Sequence, residues 1–362
     1  MTDDDAIALL HDLVATPSVS THESDAVALL TSRARAFGLR AEIDEVGNAV
    51  LTRGDEDPDA IEIMLLGHID TVPGEIPVRI EDGVLHGRGS VDAKGPLCAM
   101  TVAACRAELP ERTRVVVVGA VEEEVSSSRG ARHIARRPAP DACLIGEPSH
   151  WDGVTLGYKG RLIATIRVER PWAHASGVRQ SPAEEAIDAW TAIRDHATAF
   201  NEGRSKVFET LQATIEAFHT TNDGLLETAT MRVGFRLPPD LDPPALMDRI
   251  GDLGCPVTFE GGEVAVVTDR SDPVVCALSA AIRALGTRAA PKFKTGTSDM
   301  NVVGPIWRCP IAAYGPGDST LDHTPEERQS LDEYLQSIRV LTRAIESLPP
   351  ALESRRVARA GA

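Results

Sequence analysis

A chain of 362 residues exceeds the length at which one hydrophobic core stops growing, so two domains are expected. Its composition, 43% hydrophobic and 25% charged, is globular, and it contains no apolar tract long enough to span a bilayer. The net charge of −17 argues against nucleic acid and anionic membrane as partners. The acidic opening MTDDDAIALL lacks the pattern of a signal peptide, and six scattered cysteines with no C-x-x-C pair suit a reducing cytoplasm.

Apolar residues at three- and four-residue spacing predict helices over 3–15 and 23–37, with Gly38 as the stop of the second. Strands are predicted over 41–46, 49–52 and 61–66, a helix over 96–109 opened by Pro96, and strands over 114–118 and 142–145. Strands separated by helices in this order specify an α/β domain with a mostly parallel sheet flanked by helices. The pattern then changes to strand 162–168, helix 182–200, strands 211–218 and 228–237, helix 243–253 and strand 256–267. That order is the β-α-β-β-α-β unit of a ferredoxin-like α+β domain. After Asp272 helix and strand alternate as before, so the first domain is discontinuous, 1–159 and 271–362, with 160–270 inserted. The Arg/Ala-rich end from Glu353 is expected to fray. Trp172 and Phe218 are expected in the core of the inserted domain.

In open α/β sheets ligands sit beyond the carboxyl ends of the strands, and polar clusters end the apolar runs here. VVVVGAVEEE places Glu122, Glu123 and Glu124 after four valines; IMLLGHIDTVPG places His68 and Asp70 after another run; LHGRGSVDAKG puts Asp92 in a glycine-rich turn before a helix. CLIGEPS carries Glu147 and GPGDSTLDHTPEE carries His323. Each cluster alone has a plainer explanation, as a solvated loop, a cap or a satisfied histidine. Together they supply the nitrogen and oxygen ligands that zinc accepts. One carboxylate bridging two ions, with a histidine and a further carboxylate on each, leaves open positions for water, the arrangement of a two-metal hydrolase. Asp70, two residues after His68 on an extended chain, is placed to accept the other imidazole N–H. Neighbours in the glutamate run point opposite ways, so one can bind metal while another takes a proton.

GHIDTVP, GRGSVDAKG, the EEE run, IGEPS and the late histidine, in that order, resemble the zinc metallopeptidase family of acetylornithine deacetylase, succinyl-diaminopimelate desuccinylase, aminoacylase and glutamate carboxypeptidase. The resemblance covers nearly the whole chain and implies two zinc ions, with cobalt able to substitute. It places one on His68, Asp92 and Glu147 and the other on Asp92, Glu124 and His323, with Glu123 as general base and Asp70 as the orienting carboxylate. The family run usually begins with Asp where this chain has Glu122, which is assigned no ligand. In the inserted domain the resemblance implies an oxyanion role for His174, often across a dimer interface. It assigns the substrate's carboxylate to Asn222 and Arg236, and a closing loop to Gly296, Thr297 and Ser298.

Within the family the motifs look most similar to the LysK-type hydrolases, which release lysine or ornithine from the γ-carboxyl of an acidic amino-group carrier protein's terminal glutamate. The implied protein is a cytoplasmic homodimer joined through the inserted lid, without nucleic acid or membrane partners. Its implied substrate is that carrier or a small amide. An acidic carrier meeting an acidic enzyme requires a local basic rim, for which Arg161, Arg167, Arg170, Arg179 and Lys292 are the candidates. The alternatives are an N-acyl-amino-acid deacylase, a small-peptide peptidase, and a metal-free binding relic. A dinucleotide enzyme lacks its G-x-G-x-x-G after the first strand, and a serine hydrolase lacks its G-x-S-x-G.

Overall fold

The computed structural model describes residues 1–173 and 179–360, and it divides into two compact units. The first comprises Met1–Gly157, Thr268–Phe293 and Ser298–Ala362. The second comprises Tyr158–Val267 and Lys294–Thr297.

The first unit is built on a mixed sheet. Strands Thr113–Ala120, Ile61–His68, Ala142–Gly146 and Ile311–Ala313 lie side by side in that order, all parallel. Antiparallel strands flank them: Ala49–Gly54 and then Arg40–Ile43 on one side, Gly153–Tyr158 on the other. The central strands are buried almost throughout, as parallel strands covered on both faces must be, which is why they read as continuous Val/Ile/Leu runs. Helix Lys94–Arg106 is buried from Lys94 to Ala104 and begins two residues after Asp92, earlier than Pro96 suggested. It packs so closely that a Cβ on Gly146 would stand 3.0 Å from Met100 Sδ and 3.1 Å from Gly67 Cα, so a larger residue at this strand end would push its neighbours apart. Helices Asp3–Ala15, Ser24–Ala36, Pro273–Ala284 and Leu331–Ser347 contribute their apolar faces to the same core.

The second unit has an antiparallel four-stranded sheet in the order Gln212–Asn222, Leu226–Leu237, Gly160–Pro171, Val257–Glu263. Helices Pro182–Phe200 and Pro243–Gly251 bury Ala186, Ala189, Ile193, Leu246 and Ile250 against it. The edge strand Gln212–Asn222 is mostly exposed. Two expectations fail here. Trp172 is 50% exposed and Phe218 37%, because Trp172 follows the last residue of its strand and Phe218 sits on the edge strand. Among the described residues no helix is long and apolar enough to cross a membrane.

Candidate metal centre and active site

The parallel register gathers the candidate residues at one edge. His68 ends its strand opposite Ala120, and Gly67 lies opposite Gly146. Asp70, the run Glu122–Glu124 and Glu147 therefore all emerge from the carboxyl ends of three adjacent strands. Ala313, paired with Ile145, directs the segment that carries His323 from the fourth.

His68 Nε2 lies 3.2 Å from Asp92 Oδ1. His323 Nε2 lies 3.1 Å from Asp92 Oδ2 and 3.0 Å from Glu124 Oε1. Asp92 thus turns one oxygen to each histidine, as a carboxylate shared by two ions must. One donor atom each from His68, Asp92 and Glu124 fall within 4.8 Å of one another. Imidazole nitrogens and carboxylate oxygens that converge in this way fit zinc. Glu123 Oε2 stands 4.0 Å from His68 Nε2, beside the cluster. Glu147, buried just beyond Gly146, lies close enough for its charge to act on Glu123. It stands outside the tight group of three. Glu122 is turned away, its carboxylate taken by Ser127 Oγ at 2.6 Å and Arg129 Nε at 2.7 Å. Glu122 and His323 have φ of 60° and 62°, a left-handed conformation that non-glycine residues adopt at a cost and that concentrates at functional sites.

The supports around the cluster were only partly foreseen. Asp70 is fully buried, but the His68 Nδ1 bond goes mainly to its backbone carbonyl at 3.1 Å, with the nearer carboxylate oxygen at 3.5 Å. Its carboxylate instead accepts from the backbone N–H of Glu123 and of Glu124, each at 3.0 Å, and from Ser20 Oγ at 2.7 Å. Asp70 therefore fixes histidine and glutamates together. Asn48 holds both ends of the glutamate loop, accepting from Val121 N at 3.0 Å and donating to Gly130 O at 3.2 Å. Glu327, buried, accepts from the backbone of Gly89, Val91 and Asp92 at 3.1, 2.9 and 3.1 Å and pairs with Arg88 at 2.8 Å, which fixes the Asp92 turn. In the sequence Glu327 was one more carboxylate in a polar stretch.

The electrostatics follow from this crowding. Burial works to raise the Asp92 carboxyl, but hydrogen bonds from His323 and His68 overcome it and hold the group well below the ordinary range. The bonds from Asp92 and Glu124 push His323 up to about 10. Burial disfavours the charged form of His68, yet its contacts with Asp70 and Asp92 win and raise it. Glu123 is raised by burial, opposed by His68 and reinforced by the charges of Glu147 and Asp299. Asp299, buried with neither carboxylate oxygen hydrogen-bonded, is pushed up to about 7 by burial.

In the second unit Arg236, expected to bind the substrate's carboxylate, donates to Oγ1 of Thr297, a residue of the expected closing loop, at 3.2 Å. Asn222 Oδ1 accepts from Gly224 N at 2.7 Å, closing its own turn, and Gly296 lies in the loop before Thr297. Ser298 caps helix Asp299–Trp307, its hydroxyl accepting from Met300 N at 3.2 Å. His174 lies outside the described residues. The expected basic rim is largely neutralised within this unit: Arg161 pairs with Glu263, Arg167 with Glu169, Arg170 with Glu185 and Arg179 with Glu227, at 2.5 to 3.3 Å.

Comparisons with known proteins agree with this geometry. The chain is 46% identical to the LysW-lysine hydrolase of Deinococcus radiodurans, over 94% of this chain and 96% of the relative. It is 30% identical to the LysW-lysine/LysW-ornithine hydrolase of Saccharolobus islandicus, over 94% and 95%. Its fold is similar to that of the metallo-carboxypeptidase Sso-CP2 from Sulfolobus solfataricus, with a TM-score of 0.78 at 17% identity over 95% of this chain and 99% of that one. It is similar also to YXEP of Bacillus subtilis, described as a dinuclear metal-binding peptidase, with a TM-score of 0.68 at 15% identity over 96% and 98%. The model of peptidase family M20/M25/M40 matches residues 64–347, the span that runs from the strand ending at His68 through His323 and beyond, and the chain belongs to that family of hydrolases.

Proposed function

We propose that this enzyme is a two-metal amide hydrolase that releases lysine or ornithine from the γ-carboxyl of the terminal glutamate of an amino-group carrier protein. The observation that carries the metal centre is Asp92, whose two oxygens face two different histidines. The carrier substrate is supported by the relatives named LysW-lysine and LysW-lysine/LysW-ornithine hydrolases, which align along nearly the whole chain.

His68, Asp92 and Glu147 would hold one zinc, and Asp92, Glu124 and His323 the other, with cobalt able to substitute. Bound there, the metals supply Lewis acidity, which makes water a nucleophile near neutral pH and polarises the amide carbonyl. Glu123 takes the proton of the attacking water and returns it to the leaving amine, so one carboxylate serves as base and then as acid. Its raised proton affinity, caused by burial, suits both halves of that task. Asp70 keeps Glu123 and Glu124 in place through their backbone N–H groups. Residues 160–270 form the lid, in which the Arg236 guanidinium gives a substrate carboxylate a planar partner beside Thr297. Asn222 would share the substrate carboxylate with Arg236, the loop Gly296, Thr297 and Ser298 would close on the substrate backbone, and His174 would donate to the oxyanion. The exposed edge strand Gln212–Asn222 offers unpaired backbone groups through which two lids join into a homodimer.

A substrate panel tests the reading. Zinc-loaded enzyme is expected to prefer carrier-linked lysine or ornithine over N-acetyl-lysine, N-acetyl-ornithine and short peptides in kcat/KM. A preference for a neutral dipeptide would overturn it.

A further inference from the structure

Successive backbone N–H groups in the loop that carries the glutamates, from Val121 to Glu124, donate to side chains rather than to another strand. Val121 N donates to Asn48 Oδ1 at 3.0 Å, Glu123 N and Glu124 N to the two oxygens of Asp70 at 3.0 Å each, and Glu122 N to Glu23 Oε1 at 3.2 Å. That last acceptor lies 99 positions earlier in the chain. Glu23 is 4% exposed, and the same Oε1 also accepts from Thr21 N at 2.8 Å. Both donors belong to residues in the left-handed conformation, Thr21 at φ 74° and Glu122 at φ 60°. Non-glycine residues keep that conformation only where their surroundings determine it, and one buried oxygen does so for two of them. The placement of Glu23 has no local reason. It stands at the N-cap of helix Ser24–Ala36, a position that Asn, Asp, Ser and Thr serve best, and its carboxylate makes no bond to that helix. Burial raises its proton affinity, backbone hydrogen bonds oppose this, and the charge of Asp70 adds to it. Two like charges gathered beside one loop are held there by the N–H groups they accept. The segment that carries Glu23 is itself fastened to the end of strand Ile61–His68. Ser18 Oγ donates to Ile69 O at 2.7 Å, Thr71 N to Ser18 O at 2.9 Å, Ser20 N to Thr71 O at 3.2 Å and Ser20 Oγ to Asp70 Oδ2 at 2.7 Å.

We propose that Glu23 is a positioning residue for the hydrolysis: through the Glu122 N–H it fixes the turn that aims Glu123 at the metal centre. The inference rests on the assignment of Glu123 as the base and adds a residue, outside the motifs, on which the orientation of that base depends. Glu122 directly precedes Glu123, so a rotation about the Glu122 backbone redirects the Glu123 side chain. The Glu122 carboxylate is held at its far end by Ser127 and Arg129, which leaves its N–H as the point where the left-handed turn is set. Asp70 fixes the two residues after the turn and Glu23 fixes the turn itself, so neither replaces the other. A misplacement of about 1 Å at a reacting group costs roughly 10² in rate, and a loop tied down by side chains alone has no strand pairing to prevent one.

The test uses the zinc-loaded full-length enzyme and whichever substrate of the panel above gives the highest kcat/KM. Both N–H groups meet the same oxygen, which the amide carbonyl of glutamine reproduces, so Glu23→Gln should keep kcat within about threefold of wild type. Glu23→Met keeps the length and loses the acceptor, and kcat should fall about tenfold with KM and bound zinc unchanged. Glu23→Asp separates positioning from stability. Its shorter carboxylate falls short of Glu122 N and turns onto helix Ser24–Ala36 as an N-cap, so the melting temperature should hold while kcat falls as in Glu23→Met. A merely structural residue gives the reverse, with kcat lost only in step with the folded fraction. In the Glu123→Gln enzyme, Glu23→Met should lower the residual kcat by less than about twofold, because the group it positions is already gone, whereas independent effects multiply. Wild-type kcat in Glu23→Asp, a full further loss in the Glu123→Gln background, or loss of zinc in place of kcat overturns the proposal. Glu23→Asp decides alone if Glu23→Met does not fold. Failure of the base assignment looks different: Glu123→Gln by itself would then keep wild-type kcat.

Discussion

Asp70→Asn is the substitution whose effect the structure specifies most closely. The native carboxylate accepts from Ser20 Oγ, Glu123 N and Glu124 N in a site with no solvent exposure. The two backbone N–H groups go to different oxygens, Oδ1 and Oδ2. An asparagine has one carbonyl oxygen and one NH2, so whichever way it turns, one glutamate N–H faces a donor and loses its bond. Hydrogen bonds to a charged acceptor contribute about 1.5–3 kcal/mol, and a buried donor left without a partner costs about 1–3 kcal/mol. Volume is unchanged, so no cavity term adds to this. If about 3 kcal/mol of that is felt by the positioned Glu123, kcat falls by roughly 10². The assay is kcat at saturating substrate and zinc, with bound metal measured on the same sample. Urea titration should show a lowered midpoint. A kcat within about threefold of wild type, at normal metal content, would refute the reasoning, because it would mean the Asp70 carboxylate does not hold the glutamate loop.

Three further outcomes are expected. Glu123→Gln should keep two ions per chain while kcat drops by roughly 10²–10⁴, and Glu124→Gln should lose metal; element analysis beside kinetics separates them. In the metal-free protein His323 is held protonated up to about 10, above its ordinary 6.5, so its contribution to stability is complete below about pH 6.5 and disappears as pH rises through about 10. Zinc binding at neutral pH must then expel protons, and calorimetry in buffers of different ionisation enthalpy should show net release; binding without proton release would contradict the His323 assignment. Arg236→Lys should raise KM with little change in kcat for a substrate with a free carboxylate, and an unchanged KM would remove Arg236 from binding.

The sequence was most informative where chemistry ended an apolar run. His68, Glu123, Glu124 and Glu147 follow buried strands, and because parallel strands share one direction, their ends had to meet. Asp92 lies in a glycine-rich turn without such an anchor, and His323 follows the Ile311–Tyr314 run only after a further turn, so the motif order helped to place both. The supporting residues were illegible for a physical reason. Glu327, Asn48 and Ser20 act through backbone N–H groups or loops distant in the chain, and a hydrogen bond across such a separation leaves no local pattern. Asp70 shows the limit from the other side. Its spacing from His68 pointed to the imidazole, while the carboxylate is committed to a loop 53 residues away. The arginines of the second unit show that composition gives charge without its partner: Arg170 meets Glu185 only once strand and helix pack. Trp172 and Phe218 misled because apolar character does not distinguish a strand's end or edge from its centre.

The most direct measurement of the central claim is anomalous diffraction at the zinc edge from crystals of zinc-loaded enzyme. Two peaks roughly 3.5–4 Å apart are expected, with Asp92 between them, His68 and Glu147 on one, and Glu124 and His323 on the other. A single peak, or two peaks that leave Asp92 bound to only one ion, would contradict the two-metal account.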